Sequence, residues 1–470
     1  MRQAQPLPTD PALPQLPLAL DTDLMAGVFE RLVRERRPEL RVQACVIDRI
    51  KYRPRRNVAV SYRLRLHDGQ GGGEVEQLVA TRFCASGESE RRFANAHARA
   101  PLDSVAGPAV SHVASLDLLA TWWPNDSKLG TAAALLGGPP AARERVVGEL
   151  VGALTGGRGQ LASYTLALAQ VVPEHRACAR VDLSFSAESG AARQTRTVYV
   201  KADVELRGGL THAVMQALRR SEAQREGRLL TARPVLWQSD VGLHWQMALP
   251  GVALLDAAPA VGAGASLRVG ALLAALHSAR TPAERCAGPI ELWSRLQPVI
   301  QTLAAVEPLW EDELRGLERG LAEGADCLRG EAPVTLHGDL HPRNILVTAQ
   351  RLGLIDLDSV CQGAAVLDLG DWVADVLYRA MLGGQDLGAA LARCRSFLSG
   401  YVAGGGAPVS ETALAWSTAN SLVCQRAWRA VVNLKPGRYA LVEPLLRTAS
   451  AIQRAASIDA APRAAHWLAA

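Results

Sequence analysis

The segment Leu336-His337-Gly338-Asp339-Leu340-His341-Pro342-Arg343-Asn344-Ile345-Leu346, followed by Leu354-Ile355-Asp356-Leu357-Asp358, sets out an Asp, an Asn five residues on, and a second Asp after one short hairpin. These residue types at this spacing suit phosphoryl transfer from a magnesium nucleotide. One carboxylate orients the attacking hydroxyl and takes its proton. An amide oxygen and a second carboxylate hold the metal that neutralises the phosphate oxygens. A lone His-Gly-Asp would read as a polar turn whose side chains satisfy backbone groups. The Asn at fixed spacing and the Ile-Asp after a hairpin outweigh that reading.

The flanks supply the elements that must position these residues. Pro333-Val334-Thr335-Leu336 is a short apolar run leading into the loop. Residues 345–347 and 352–355 read as two short strands joined by a turn over 348–351, which brings Asn344 and Asp356 to one end, near Asp339. The catalytic loop of protein kinases spaces its Asp and Asn in the same way. At these residues the chain resembles the aminoglycoside phosphotransferase and choline kinase-like family. Its members have a protein-kinase-like fold and carry H-G-D-x-H-x-x-N-I-L followed by I-D-x-D or a close variant. The resemblance implies that Asp339 is the catalytic base, that Asn344 and Asp356 hold magnesium, and that His337 braces the loop. His341 matches the family's second histidine, either as a loop hydrogen bond or as a substrate contact. ATP and Mg2+ are the cofactors implied.

Composition fits a globular enzyme. A chain of 470 residues can build two or three domains with real cores. The net charge of +5 is small, and the basic residues are scattered rather than gathered in a stripe, so nucleic acid is not expected as a partner. Arg53, Arg55, Arg56, Arg63 and Arg65 form the densest basic group and read as the solvated face of strands. The eight cysteines are dispersed, without CxxC or Cys/His clusters, and read as reduced thiols in a cytoplasmic protein. Residues 1–20 contain five prolines and no basic start followed by an apolar core. They read as a disordered tail. No apolar run is long enough to span a membrane.

Residues 164–202 read as three strands. The first two are joined by Pro173-Glu174-His175-Arg176, and the third is Thr197-Val198-Tyr199-Val200-Lys201. A helix over about 211–230 and strands at 234–237 and 243–249 follow, which is the order of a kinase N-terminal lobe. Lys201 stands where the family places the lysine that contacts the nucleotide phosphates. Alone it would read as an exposed lysine at a strand end. The family pairs this lysine with a helix glutamate, and Glu222 is the candidate, with Glu226 the alternative. No G-x-G-x-x-G loop is present; Gly208-Gly209 reads as a turn, and residues 173–177 are the expected loop above the phosphates. Leu249-Pro250-Gly251 resembles the family's hinge exit, so the adenine is expected against the backbone of Gln246, Met247 and Ala248. His277, in Leu273-Ala274-Ala275-Leu276-His277, reads as structural.

The earlier part of the chain repeats the same order. Arg53-Pro54-Arg55-Arg56-Asn57, a Gly-rich hairpin at 69–73, residues 77–83, Ser89-Glu90, and strands at 108–113 and 116–122 mirror the second set. Thr81 or Arg82 takes the lysine position, and no second catalytic loop follows. Trp122-Trp123-Pro124-Asn125-Asp126-Ser127-Lys128-Leu129 reads either as a docking segment or as a plain turn. Gly137-Gly138-Pro139-Pro140 marks a joint.

The expected architecture is therefore α+β. A degenerate N-lobe-like module (21–150) precedes a bilobal protein-kinase-like fold, with an antiparallel-sheet N-lobe (151–250) and a mainly helical C-lobe (251–470). In the Leu367-Asp368-Leu369-Gly370-Asp371 stretch, Asp368 either caps a helix or braces the catalytic loop. The expected function is transfer of the ATP γ-phosphate to a hydroxyl of a small molecule: a sugar, an aminosugar or an aminoglycoside-like compound. GTP remains open as donor. The competing class is a pseudokinase-like protein that binds nucleotide or docks a partner without turnover. A cationic acceptor would need an acidic cleft, which Asp358, Asp371, Asp375, Glu311 and Glu313 could supply.

Overall fold

Alternation of apolar and polar residues at a period of two builds both halves of the N-terminal region. In the strand Asn57–Asp68, Val58, Val60, Tyr62, Leu64 and Leu66 are buried on one face. In the strand Arg176–Ser186, Ala177, Ala179, Val181, Leu183 and Phe185 do the same. The computed structural model describes residues 7–68, 73–85, 87–97, 102–188, 191–257, 264–348 and 351–458. Helices α1 (Leu16–Leu20) and α2 (Thr22–Arg36) lead into β1 (Leu40–Arg53), β2 (Asn57–Asp68), β3 (Glu74–Cys84), α3 (Glu88–His97), β4 (Val110–Val113) and β5 (Leu118–Trp122). These strands form one antiparallel sheet in the order β1-β2-β3-β5-β4. Phe29 of α2 packs edge-on against Tyr62 and Trp122, at centroid distances of 5.1 and 5.8 Å.

After α4 (Gly130–Gly137) and α5 (Pro140–Thr155), a second set begins. It comprises β6 (Gln160–Val172), β7 (Arg176–Ser186), β8 (Arg193–Asp203), α6 (Gly208–Arg220), α7 (Glu222–Arg225), β9 (Pro234–Gln238) and β10 (Leu243–Met247). The sheet order is β6-β7-β8-β10-β9, the same topology as the first. Both sheets place their helices between the third and fourth strands. Both first hairpins turn through a residue in the left-handed region, Arg55 and Glu174, each at φ 59°.

Four local readings change. Residues 7–20 are ordered on the first sheet rather than forming part of a loose tail. Leu13 and Leu16 are buried, Tyr52 Oη donates to Asp10 at 2.8 Å, and Gln15 Nε2 donates to the Cys84 carbonyl at 2.7 Å. Residues 1–6, and 69–72 of the Gly-rich hairpin, lie outside the described residues. The boundary placed at residue 150 falls inside α5. The apolar face of that helix (Val146, Val147, Leu150, Val151) joins the core of the second sheet, as do Leu129 and Leu136. The helix expected over 211–230 is two helices, because the Ser221 hydroxyl accepts from the Gln224 amide and starts a new N-cap. Gly208 and Gly209 open α6 instead of forming a turn, since Trp237 lies so close that a Cβ at Gly208 would sit 2.3 Å from its ring.

The remainder is mainly helical. After β11 (Val252–Ala253) come α8 (Ala265–His277), β12 (Cys286–Ala287), α9 (Pro289–Val306) and α10 (Glu311–Gly324). Strands β13 (Val334–Leu336), β14 (Ile345–Val347), β15 (Leu352–Leu354) and β16 (Cys361–Gly363) follow. Helices α11 (Val366–Leu382), α12 (Leu387–Ala403), α13 (Glu411–Ser421), α14 (Trp428–Asn433) and α15 (Val442–Ile458) complete the lobe. β14 and β15 form the expected hairpin. The first sheet also touches this lobe, with β1 packing on α14. No helix among the described residues is long and apolar enough to cross a membrane, and all eight cysteines are free thiols.

Candidate active site

The His-Gly-Asp loop leaves β13 over a buried carboxylate. Asp368, in the first turn of α11, accepts from the His337 amide at 2.6 Å and from the Gly338 amide at 3.0 Å. His277 Nε2 lies 3.2 Å from the same carboxylate, and its Nδ1 lies 2.9 Å from Tyr401 Oη. Burial pushes the Asp368 carboxyl up, but the His277 contact and the loop amides outweigh it and hold the group below its usual value. Asp368 thus braces the loop. Gly338 must be glycine: its φ is 75°, and a Cβ would stand 2.4 Å from the Ser359 carbonyl oxygen.

The loop is tied to the following hairpin by three bonds. Asn344 Nδ2 donates to the Asp339 carbonyl at 3.0 Å, the Ile355 amide donates to the Asn344 carbonyl at 3.0 Å, and His337 Nε2 donates to the Ile355 carbonyl at 3.1 Å. His337 is fully buried, and its ring ties the loop to the residue before Asp356. Asp339, Asn344 and Asp356 therefore stand on one bonded unit. Asp356 itself is in the left-handed region (φ 60°, ψ 56°), a strained conformation for a residue with a side chain.

Lys201 crosses from the second sheet to this unit. Its Nζ lies 2.8 Å from Asp356 Oδ1 and 2.8 Å from Asp358 Oδ2. Burial works against the ammonium, yet the two carboxylates hold its pKa well above the ordinary lysine value. Burial likewise pushes Asp356 up, and Lys201 outweighs it to bring that carboxyl far down. Asp358 goes up instead, because burial and the Asp356 charge exceed what the shared lysine supplies. One cation facing two carboxylates leaves a negative charge to be matched.

The glutamate expected to pair with Lys201 does not do so. Glu222 and Glu226 are both exposed, and Glu226 pairs with Arg228 at 2.6 Å. The break at Ser221 leaves Glu222 in the first turn of a short separate helix, while the DxD carboxylates take the lysine. The adenine assignment also shifts. The Met247 amide donates to the Arg233 carbonyl at 2.8 Å and the Ala248 amide to Thr197 at 3.0 Å, while Gln246 sits in the ladder opposite Tyr199. Those donors are engaged in the sheet, so the crossover at residues 249–251 is the backbone beyond the ladder. The loop expected above the phosphates is held from outside. The Glu174 amide donates to Asp126 at 2.7 Å, and its carboxylate takes Arg82 at 2.9 Å and the Ser127 hydroxyl at 3.2 Å. The Trp122–Leu129 segment thus docks the first module onto the second.

Arg429 was missed by the sequence reading. Its guanidinium lies 3.2 Å from Asp339 Oδ1, and His341 Nε2 lies 3.7 Å from Oδ2. Burial pushes Asp339 up, but Arg429 and the two histidines outweigh it, so the carboxyl sits below its usual value. Arg429 follows a π-helical turn over Leu422–Ala427 and carries no motif; such turns recur at functional sites. The same turn brings Arg426 to Asp375 at 3.2 Å, where Arg379 also pairs. Of the five acids expected to line a cleft, Asp375 is thus matched by two arginines and Glu311 pairs with Arg315, while Asp358 shares its one lysine with Asp356.

Among the described residues no group of three or more His, Cys, Asp or Glu side chains forms a metal cage. The donor set still fits a hard cation: two carboxylates with unmatched charge and the amide oxygen of Asn344.

Residues 196–403 match the profile of the phosphotransferase enzyme family. No curated protein sequence matches the chain. Among solved structures, an apo thermostable mutant of aminoglycoside phosphotransferase APH(4)-Ia is 14% identical, over 66% of this chain and 98% of that one, with a TM-score of 0.44. Choline kinase LicA from Streptococcus pneumoniae is 14% identical over 67% and 99%, with a TM-score of 0.42. A choline/ethanolamine kinase family protein from Mesorhizobium loti is 16% identical over 62% and 89%, with a TM-score of 0.40. The matched stretch, residues 196–403, holds Lys201, Asp339, Asn344 and Asp356, and over it the chain is similar to the phosphotransferase enzyme family.

Proposed function

We propose that this chain is an ATP-dependent small-molecule kinase that moves the γ-phosphate to a hydroxyl of a sugar, an aminosugar or a related compound. The observation that carries the reading is the Lys201 bridge to Asp356 and Asp358, made from a sheet lobe onto the same bonded unit that holds Asp339. Asp339 receives the proton of the attacking hydroxyl. Its depressed pKa keeps it ionised at neutral pH, and Arg429 and Asn344 fix its position from the side chain and the carbonyl. Lys201 holds the nucleotide phosphates. Asn344 and Asp356 would hold Mg2+, with Asp358 beside them, and the metal would supply charge neutralisation at the phosphate oxygens. Catalysis of this kind is positioning and electrostatics, with little covalent work for the protein.

The arginines paired with Asp375 and Glu311 weaken the expected acidic cleft, which favours a neutral or less cationic acceptor over a polycationic aminoglycoside. The test is Mg-ATP consumption against sugars, aminoglycosides, amino alcohols and nucleosides, with Asp339→Ala as the blank. Acceptor-dependent turnover that vanishes in the variant is the expected result. Turnover that persists in the variant removes Asp339 from the mechanism. Nucleotide binding without turnover on any acceptor supports the binding-only alternative.

A further inference from the structure

The first sheet turns its open face to a cavity of about 1260 Å³, closed on the far side by the β6–β7 tip and the end of β8. Lys201, Asp339 and Asp356 are not among its walls. Its lining holds seven Arg or Lys residues and four Asp or Glu.

The cations come from strand alternation. Residues 49, 51 and 53 fall on one face of β1, opposite the buried Ile50 and Tyr52. Across the ladder Lys51 stands beside Ala59 and Ala59 beside Arg82, while Arg49 stands beside Ser61 and Ser61 beside Ala80. The floor between the cations is therefore small side chains, which leaves the hollow unfilled. Arg63 and Arg65 lie further along the same face but are matched, Arg63 by Asp48 and Glu76 and Arg65 by Glu74. Among the described residues no carboxylate pairs with Arg49, Lys51, Arg53 or Lys128. Three of the four acids in the wall are engaged elsewhere: Glu174 as described, Asp126 with the amides of Lys128 and Leu129, both at 2.9 Å, and Glu205 with Arg207. Burial and the surrounding cations push the Lys51 ammonium below its usual pKa. Unmatched cations around an open hollow focus a positive potential into it.

We propose that this cleft is a second binding site, beside the phosphotransfer centre and walled in part by the loop expected above the phosphates, for a small organic phosphate or pyrophosphate held by Arg49, Lys51 and Arg53. Arg53 is exposed, as a solvated strand face requires, and the proposal adds a ligand to that face. The site does not depend on the kinase reading.

Calorimetry on the full chain tests it, with glucose 6-phosphate and inorganic pyrophosphate as probes and glucose as the neutral control. Both anions bind saturably at low salt, more weakly at high salt, and glucose does not bind. The double variant Lys51→Glu/Arg53→Glu changes two exposed side chains, so it keeps its fold by circular dichroism; it weakens both anions by about tenfold or more, the loss of charge-assisted contacts. Lys201→Ala leaves their affinity within about threefold, since that residue lies outside the cleft. Absence of binding by both anions overturns the proposal. So does affinity that survives the double charge reversal, or that disappears with Lys201.

Discussion

The two sheets share one topology and differ in what each sets on its third strand. The register makes the correspondence firm. Asn57 faces Cys84 in the first sheet and Arg176 faces Asp203 in the second, so Arg82 and Lys201, each two residues earlier, occupy the same place. Thr81, the other candidate, points to the opposite face and donates to the Val60 carbonyl at 2.8 Å. Lys201 has Cys178 and His244 as ladder neighbours and reaches two carboxylates of the helical lobe. Arg82 has Ala59 and Leu119, and reaches Glu174 at the tip of the second sheet's first hairpin. A single backbone plan thus presents a cation to two acids of the helical lobe in one copy and to an acid of its sister module in the other. The fold supplies the position, and the partner that meets it decides the role.

The largest effects should fall on one side of this comparison. Asp339→Ala should lower kcat by about 10³-fold while melting unchanged, within the range of general-base removal. Lys201→Ala should lower kcat/KM by about 10²-fold or more, because it removes charge from the developing phosphate site. Asp356→Ala should abolish Mg-dependent nucleotide binding by calorimetry. Arg82→Ala, in the matching position, should cost less than about tenfold in turnover, since a partly exposed pair contributes little. Steady-state rates decide. An Arg82 variant as damaged as the Lys201 variant would break the comparison and place the first sheet in the catalytic centre.

The loop proposed as catalytic was legible because its chemistry is local. Asp339, Asn344 and Asp356 lie within eighteen residues of one another, and their spacing matches the elements that bring them together. The strand order of both modules was legible from alternation and turn residues. Long-range partners were not. Arg429 reaches Asp339 across 90 residues of chain, from a helix positioned by a π-turn that no residue pattern announces. The lysine–glutamate pair failed because Ser221 ends a helix by capping the next, a competition between local hydrogen bonds that periodicity does not register. The tail was misread from its prolines, while the aliphatic residues between them, Leu13 and Leu16, seal the first sheet. The basic cleft was hidden because alternation tells which residues share a face, not whether carboxylates come to meet them.

A difference beside the two cations should appear as acid sensitivity. His244 is buried next to Lys201, with both ring nitrogens unpartnered and His212 at a centroid distance of 5.5 Å. Burial, then His212 and Lys201, push its pKa down to about 3. The folded state keeps the ring neutral, whereas the unfolded chain protonates it near pH 6.5. Its contribution is therefore complete above about pH 6.5 and is lost as pH falls toward 3, at roughly 2 kcal/mol by pH 5. His244→Leu installs the residue that Leu119 supplies in the first sheet. The variant should lose stability less steeply than wild type between pH 7 and pH 4.5 in thermal melts. Parallel acid limbs in the two proteins would show that the second sheet tolerates a charge beside Lys201.

The smallest effect concerns the clasp that joins the copies. Arg82 and Glu174 meet at 2.9 Å with side chains 21% and 38% exposed, so solvent screens the pair. Burial pushes the Glu174 carboxyl up, and Arg82 outweighs it to hold the group below its usual value, so the bridge persists at neutral pH. A double-mutant cycle with Arg82→Ala and Glu174→Ala should return a coupling of about 1 kcal/mol or less in urea melts, falling as salt rises. The backbone bond from Glu174 to Asp126 survives both changes and keeps the hairpin docked. Removing that second anchor as well, with Asp126→Ala, should exceed the sum of the separate losses, because the hairpin tip then has neither hold on the first module. Simple additivity among all three would mean that the tip is held by packing along β6 and β7, and that the first module docks without shaping the loop above the phosphates.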